Sequence, residues 1–119
     1  MAIHYKLVNR DHLKSASNKT REYPHAIKNN TISPDDFLEQ FAATSKFSEA
    51  DAIYLILCLK QYIVEQIKNG NIVQTRHLGT FYPVVKAGKD KNLVPSIRYR
   101  PSKEMKKEIL RAETKRIKG

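Results

Sequence analysis

Hydrophobic and polar positions change period several times along the chain. Ile3-His4-Tyr5-Lys6-Leu7-Val8 alternates, a polar and basic turn-rich stretch runs from Asn9 to Asn18, and Arg21-Glu22-Tyr23-Pro24-His25-Ala26-Ile27 forms a second short run. A period of two predicts two short strands or a hairpin. Pro24 has no N–H to donate, which makes the second an edge strand, and the basic residues between them predict a mobile, solvent-facing loop. At Ser33-Pro34-Asp35-Asp36 the period becomes helical. Ser33 can cap the first turn, Pro34 fits the first helical position, and the two Asp complement the helix dipole. Phe37, Leu38, Phe41 and Ala42 then form a compact stripe that fades at Thr44-Ser45, so this helix is short. Ser48-Glu49-Ala50-Asp51 repeats the cap signature and opens a longer helix that ends near Asn69-Gly70.

The longer helix has more apolar surface than a small monomer can cover. Ile53, Ile56, Leu57, Ile63, Val64 and Ile67 follow one stripe, while Ala52, Leu55, Leu59 and Tyr62 form a second beside it. Two apolar faces predict a helix shared with a partner chain, most economically in an interlocked twofold dimer. Cys58 lies within this apolar stretch and reads as a small buried hydrophobe. As the only cysteine it has no internal disulfide partner, and no Cys/His group has zinc-ligand spacing.

Beyond Gly70, a plausible helix-terminating glycine, Asn71–Arg76 and Leu78–Val85 predict two strands joined by a tight turn around His77-Leu78-Gly79. Residues 86–95 form a basic connector. Ser96-Ile97-Arg98-Tyr99-Arg100 then alternates as a third strand, with Arg98 and Arg100 on one face and Ile97 and Tyr99 on the other. Pro101-Ser102 ends that strand and caps a final helix, with Met105, Ile109 and Ala112 as its apolar stripe and Lys103, Lys107, Arg111 and Lys115 as a basic ridge.

The 119 residues suit one compact domain, with 40% hydrophobic and 29% charged residues excluding a disordered or low-complexity chain. The longest apolar run, Ala52–Leu59, is far short of the roughly 20 residues of a membrane span, and no apolar signal segment follows Met1. The expectation is a protein of the reducing cytoplasm, neither secreted nor inserted in a membrane. Charge adds the sharpest constraint. The formal net charge is +10, distributed as +4 over residues 1–34, −3 over 35–70 and +9 over 71–119. Segregation of this kind makes the middle block scaffold or interface and the C-terminal third a surface for a polyanion. A merely solvated basic face is the alternative.

The residues themselves carry a family resemblance. "FLEQFAATSKFSEADAIYLILCLKQYIVEQIKNG" resembles the dimerising helices of the bacterial HU and integration host factor family of nucleoid proteins. "NIVQTRHLGTF", with the Gly70 before it, resembles the family's G-x-x-V-x-x-x-x-x-G-T-F hairpin, and "IRYRPSKEMKKEI" resembles its F-K-P-G-K-x-L-K segment. The match covers about two thirds of the chain, and "IHYKLVNR" followed by "REYP" resembles the extended variants of Bacteroidetes. The implied fold is α+β: an HU-like intertwined dimer with an N-terminal helical hairpin, a three-stranded antiparallel sheet carrying a short β-arm, and a C-terminal helix, over residues 33–119. Residues 1–32 would add an extension of short strands and a basic loop.

That resemblance implies a homodimer forming a saddle over duplex DNA in the bacterial nucleoid, contacting phosphates and the minor groove with little sequence preference. Carried over by position, the candidate DNA-binding residues are Arg76, Lys86, Lys89, Lys91, Arg98, Arg100, Ser102, Lys103, Lys106 and Lys107, with Ser102 standing where the family has a glycine. Gly79 and Phe81 match the turn glycine and buried aromatic of the hairpin. The candidate dimer interface comprises Phe37, Phe41, Phe47, Leu55, Ile56, Leu59, Tyr62, Ile63 and Phe81. Two departures stand out: the arm is much shorter than in the family, and the Arg-Asn-Pro tip is absent, Asn92 and Pro95 not being adjacent. These favour a second reading, an interaction protein that keeps the fold but binds RNA or another protein with weak or lost DNA bending. For an enzyme the candidates are His4, His12, His25, His77, Asp35 and Asp36, no two of which make an acid-base or metal pair. No metal, cofactor, membrane or small-molecule substrate is expected.

Overall fold

The computed structural model describes residues 2–9 and 22–117; the loop expected between the first two strands lies outside them. In chain order the elements are β1 (Ala2–Asn9), β2 (Glu22–Ala26), α1 (Pro34–Ser45), α2 (Glu49–Lys68), β3 (Val73–Thr75), β4 (Gly79–Ala87), β5 (Leu93–Pro101), α3 (Lys103–Ile109) and β6 (Glu113–Arg116). They divide between two compact units. One comprises Met1–Thr31 with Leu110–Gly119, the other Ile32–Ile109.

The first unit is a three-stranded sheet of order β2-β1-β6, in which β1 runs antiparallel to β2 and parallel to β6. Pro24 lies on the edge strand β2, where a missing donor costs nothing. The terminal helix corrects the sequence expectation: it stops at Ile109, and Glu113–Arg116 is a strand instead. A seven-residue helix is too short to hold by itself, and Leu110, one position further on, is 82% exposed and so gains nothing from burial. Pairing with the open side of β1 supplies a ladder of backbone hydrogen bonds that the helix could not, extended by Ile117 N–H donating to the Tyr5 carbonyl at 2.8 Å. Arg111 and Lys115 therefore leave the basic ridge.

In the second unit both helices begin where the caps predict. Ser33 Oγ accepts from Asp36 N–H and Ser48 Oγ from Asp51 N–H, each at 3.1 Å. Gly70, just past the Asn69 cap of α2, has φ +83°, the left-handed conformation expected of a helix-terminating glycine. The three strands form an antiparallel sheet of order β3-β4-β5, against which α2 packs. β4 and β5 stay paired from Gly79–Pro101 out to Ala87–Leu93, so half of the predicted connector 86–95 is strand and residues 88–92, with a helical turn at Lys89–Lys91, close the arm.

The interior is thin. Among the described residues only Ala42, Ala52, Ile63, Ser102 and Gly79 are buried, and no large side chain is fully so. Leu38, Ala42 and Ser45 turn inward from α1, and Ala52, Ile56, Ile63 and Ile67 from α2. Ile63 and Ile56, expected at the dimer interface, thus belong to the chain's own inner stripe, since they fall on the helical period of Ala52. The remaining stripes are uncovered: Leu55, Leu59 and Tyr62 are 43–58% exposed, as are Phe37 and Phe47 at 47–49% and Phe41 at 37%. Phe37 and Phe41 stack on each other with ring centroids 5.8 Å apart. Phe81 is half-buried against Tyr99, centroids 5.0 Å apart, on the sheet face that carries Ile97.

Candidate nucleic-acid interface

Strand register sorts the second sheet into two unlike faces, because directly paired residues share a side. Phe81, Tyr99, Pro83 and Ile97 lie on one. The other carries Gln74 opposite Thr80, Thr80 opposite Arg100, Tyr82 opposite Arg98, and Lys86 opposite Val94. Arg98 and Arg100 therefore share a face as expected, and Lys86 extends it outward along the arm. The Arg100 guanidinium carbon is 5.5 Å from the centroid of the Tyr82 ring, a cation–π contact that holds the arginine over the sheet.

At the base of the sheet this face opens into a groove of about 530 Å³ where Arg76, Arg100, Lys103 and Lys106 converge with Gln74 and Thr80. Glu104 is the single acid on its lining, and its carboxylate already accepts a 2.7 Å hydrogen bond from His77 Nδ1. The groove thus presents four cations with their one anionic neighbour engaged. Lys107 is exposed on α3 but does not line the groove, and Lys89 and Lys91 flank Asp90 at the tip of the arm. His77, in the turn between β3 and β4, is the partner of Glu104.

The groove is held in shape from beneath. Ser102 Oγ donates to the His77 carbonyl at 2.7 Å and accepts from Met105 N–H at 3.1 Å, capping α3 and tying it to the β3–β4 turn. Tyr99 Oη donates to the Leu78 carbonyl at 2.6 Å. Thr75 Oγ1 donates to the Gly79 carbonyl at 2.6 Å and accepts from its N–H at 2.8 Å. Gly79 itself has φ +132°, and a Cβ there would stand 2.1 Å from the Arg100 carbonyl oxygen, so no other residue fits. Ser102, expected at DNA, lines the groove but is 8% exposed with its hydroxyl committed on both sides, so its side chain holds the frame together. Ser102→Ala is expected to lower stability by about 1–3 kcal/mol, read as a shifted urea midpoint, because it leaves a helix-end N–H and a carbonyl unpaired.

Among the described residues no group of His, Cys, Asp or Glu is placed to hold a metal ion, and no helix is long and apolar enough to cross a membrane. Comparison with known proteins gives both a family and a fold. A family model described as HU-HIG, an HU domain fused to wHTH, Ig, or glycine-rich motif, matches residues 1–116. The chain belongs to the HU-HIG family. Its fold is similar to that of a candidate bacterial DNA binding protein from Bacteroides vulgatus ATCC 8482, with a TM-score of 0.75 at 11% identity over 98% of this chain. It is also similar to an HU variant from Thermotoga maritima, with a TM-score of 0.50 at 19% identity over 66% of this chain and 99% of that one. The HU-HIG chain spans 48% of the length of the Bacteroides vulgatus protein. No curated protein matches it.

Proposed function

We propose that this HU-HIG chain is a non-enzymatic DNA-binding protein that holds duplex DNA as a homodimer, through its phosphates and with little sequence preference, as an architectural component of the nucleoid. The observation that carries the reading is the groove lined by Arg76, Arg100, Lys103 and Lys106, continued up the sheet by Arg98 and Lys86. Cations spread over a strand face and a helix start neutralise a regular row of phosphates but offer few groups to read base edges. Membership of the family and the fold shared with HU support the same conclusion. The uncovered stripes of α1 and α2 support the homodimer, because a chain with so little interior gains its core from a second copy.

The arm sets how the duplex is held. From the Gly79–Pro101 pair to the Ala87–Leu93 pair it reaches roughly 27 Å at about 3.4 Å per residue, much of it spent on the body of the sheet. Lys86, Lys89 and Lys91 contribute charge at its outer end. Without the intercalating tip of the family, the arm has no proline at its tip to offset the few kcal/mol that unstacking a base step costs, and DNA is expected to be bound with modest bending. Energy transfer across an end-labelled duplex checks this: a small change in end-to-end distance is expected, and a sharp shortening would contradict it. Replacing the three lysines is expected to weaken affinity while leaving that distance unchanged. A gel-shift titration against duplex DNA, single strands and structured RNA tests the function itself. Preference for duplex DNA is the expected result, and preference for RNA or failure to shift any nucleic acid would favour an interaction protein that retains only the fold.

A further inference from the structure

The first unit carries cations of its own. In its sheet, Tyr5 pairs with Ala26, Leu7 with Pro24 and Ile3 with Thr114, which places Ile3, Tyr5, Leu7, Pro24 and Ala26 on one face with Glu22 and Arg116, while Val8 opposite Tyr23 lies on the other. On the other face Lys6 stands directly opposite His25, and His4 directly opposite Lys115. Lys6, His25 and Lys115 are exposed and His4 is half-buried. Glu113, opposite Ala2, is the one acid on this face among the described residues. None of the four basic groups has a hydrogen-bond or ion-pair partner among the described residues.

Two features make this more than a solvated surface. Each cross-strand pair joins a lysine to an imidazole, Lys6 to His25 and Lys115 to His4, with no acid in either pair. The groups are also compact, two residues apart along β1, or roughly 6.6 Å, and one strand to either side at about 4.8 Å. A cluster of this size, cationic and able to donate from both lysine and imidazole, is complementary to the phosphodiester backbone.

We infer that this face of the β2-β1-β6 sheet is a second phosphate-binding surface for duplex DNA, so that each chain grips the backbone with both of its units. The inference rests on the DNA-binding reading proposed for the second unit. Given that reading, covalent linkage supplies the same duplex to the first unit at high effective concentration, which lets a weak patch contribute to affinity.

The test is salt-dependent binding of the intact protein to a random-sequence duplex several helical turns long. Lys6→Gln with Lys115→Gln removes both lysine charges from this face. The slope of log K against log salt is expected to become shallower by about 0.9 for each phosphate no longer neutralised, so by nearly two per chain, with affinity down about tenfold at moderate salt. Lys6→Arg with Lys115→Arg is expected to keep the parent's slope, which separates removal of charge from a disturbed sheet. If the parent binds duplex and the glutamine variant keeps its slope, the inference is overturned while the function of the second unit stands; a patch serving an acidic protein surface would give that result. If the parent does not bind duplex at all, the proposed function itself fails and this inference with it.

Discussion

Reversing the charge at Arg98, Arg100 and Lys103 is expected to weaken duplex DNA binding by roughly a hundredfold or more at low salt, alike for all sequences. The three side chains lie on the sheet face and groove of the second unit, and none is engaged by an acid among the described residues. Each exposed cation–phosphate pair is worth about 0.2–1 kcal/mol, and a dimer presents every position twice, so attraction turns to repulsion at six places on the surface. Because phosphates carry no sequence information, the loss should be uniform, whereas removing a group that reads a base would relax preference at one position. Fluorescence anisotropy with duplexes of unrelated sequence checks this. Unchanged affinity at low salt would mean that the surface lies elsewhere.

Leu55→Glu combined with Leu59→Glu is expected to abolish the dimer and, with it, the folded state. Both leucines are nearly half exposed on α2, in line with Tyr62 one helical turn further on. In a twofold assembly each substitution is felt twice, losing about 1–2 kcal/mol of apolar burial at each site and placing an unpaired carboxylate in the interface, at a cost of several kcal/mol more. A chain whose own buried set is Ala42, Ala52, Ile63, Gly79 and Ser102 among the described residues has little with which to offset that. Light scattering after size exclusion is expected to give about twice 13.7 kDa for the parent, with unfolding that depends on protein concentration, and loss of both for the variant. A parent of monomeric mass that unfolds cooperatively and independently of concentration would contradict the interlocked arrangement.

The elements that the sequence made legible are those whose signals are local. Ser33 and Ser48 cap their helices where the residue pattern placed them, Gly70 takes the left-handed conformation, and alternation put Arg98 and Arg100 on one face. What escaped depends on pairing between distant segments. The strand β6 arises because β1 has an open side, a fact that the helical spacing of Lys107, Arg111 and Lys115 cannot reveal. Tyr82, Thr80 and Gln74 join the arginines only through register, and Glu104 finds His77 across 27 residues of sequence. The motif match located Ser102 in the right segment, but its role as a buried cap follows from the carbonyl of His77 above it. A basic first sheet was likewise invisible until Lys6 met His25 and His4 met Lys115.

Binding of duplex DNA through neutralised phosphates is tested most directly by the dependence of affinity on salt. With about six phosphates neutralised per dimer by the second unit, log K is expected to fall against log salt with a slope of roughly −5, steeper where the first unit adds to that number, and to do so for duplexes of any sequence. A slope near zero, or an affinity that survives salt on one sequence alone, would contradict it.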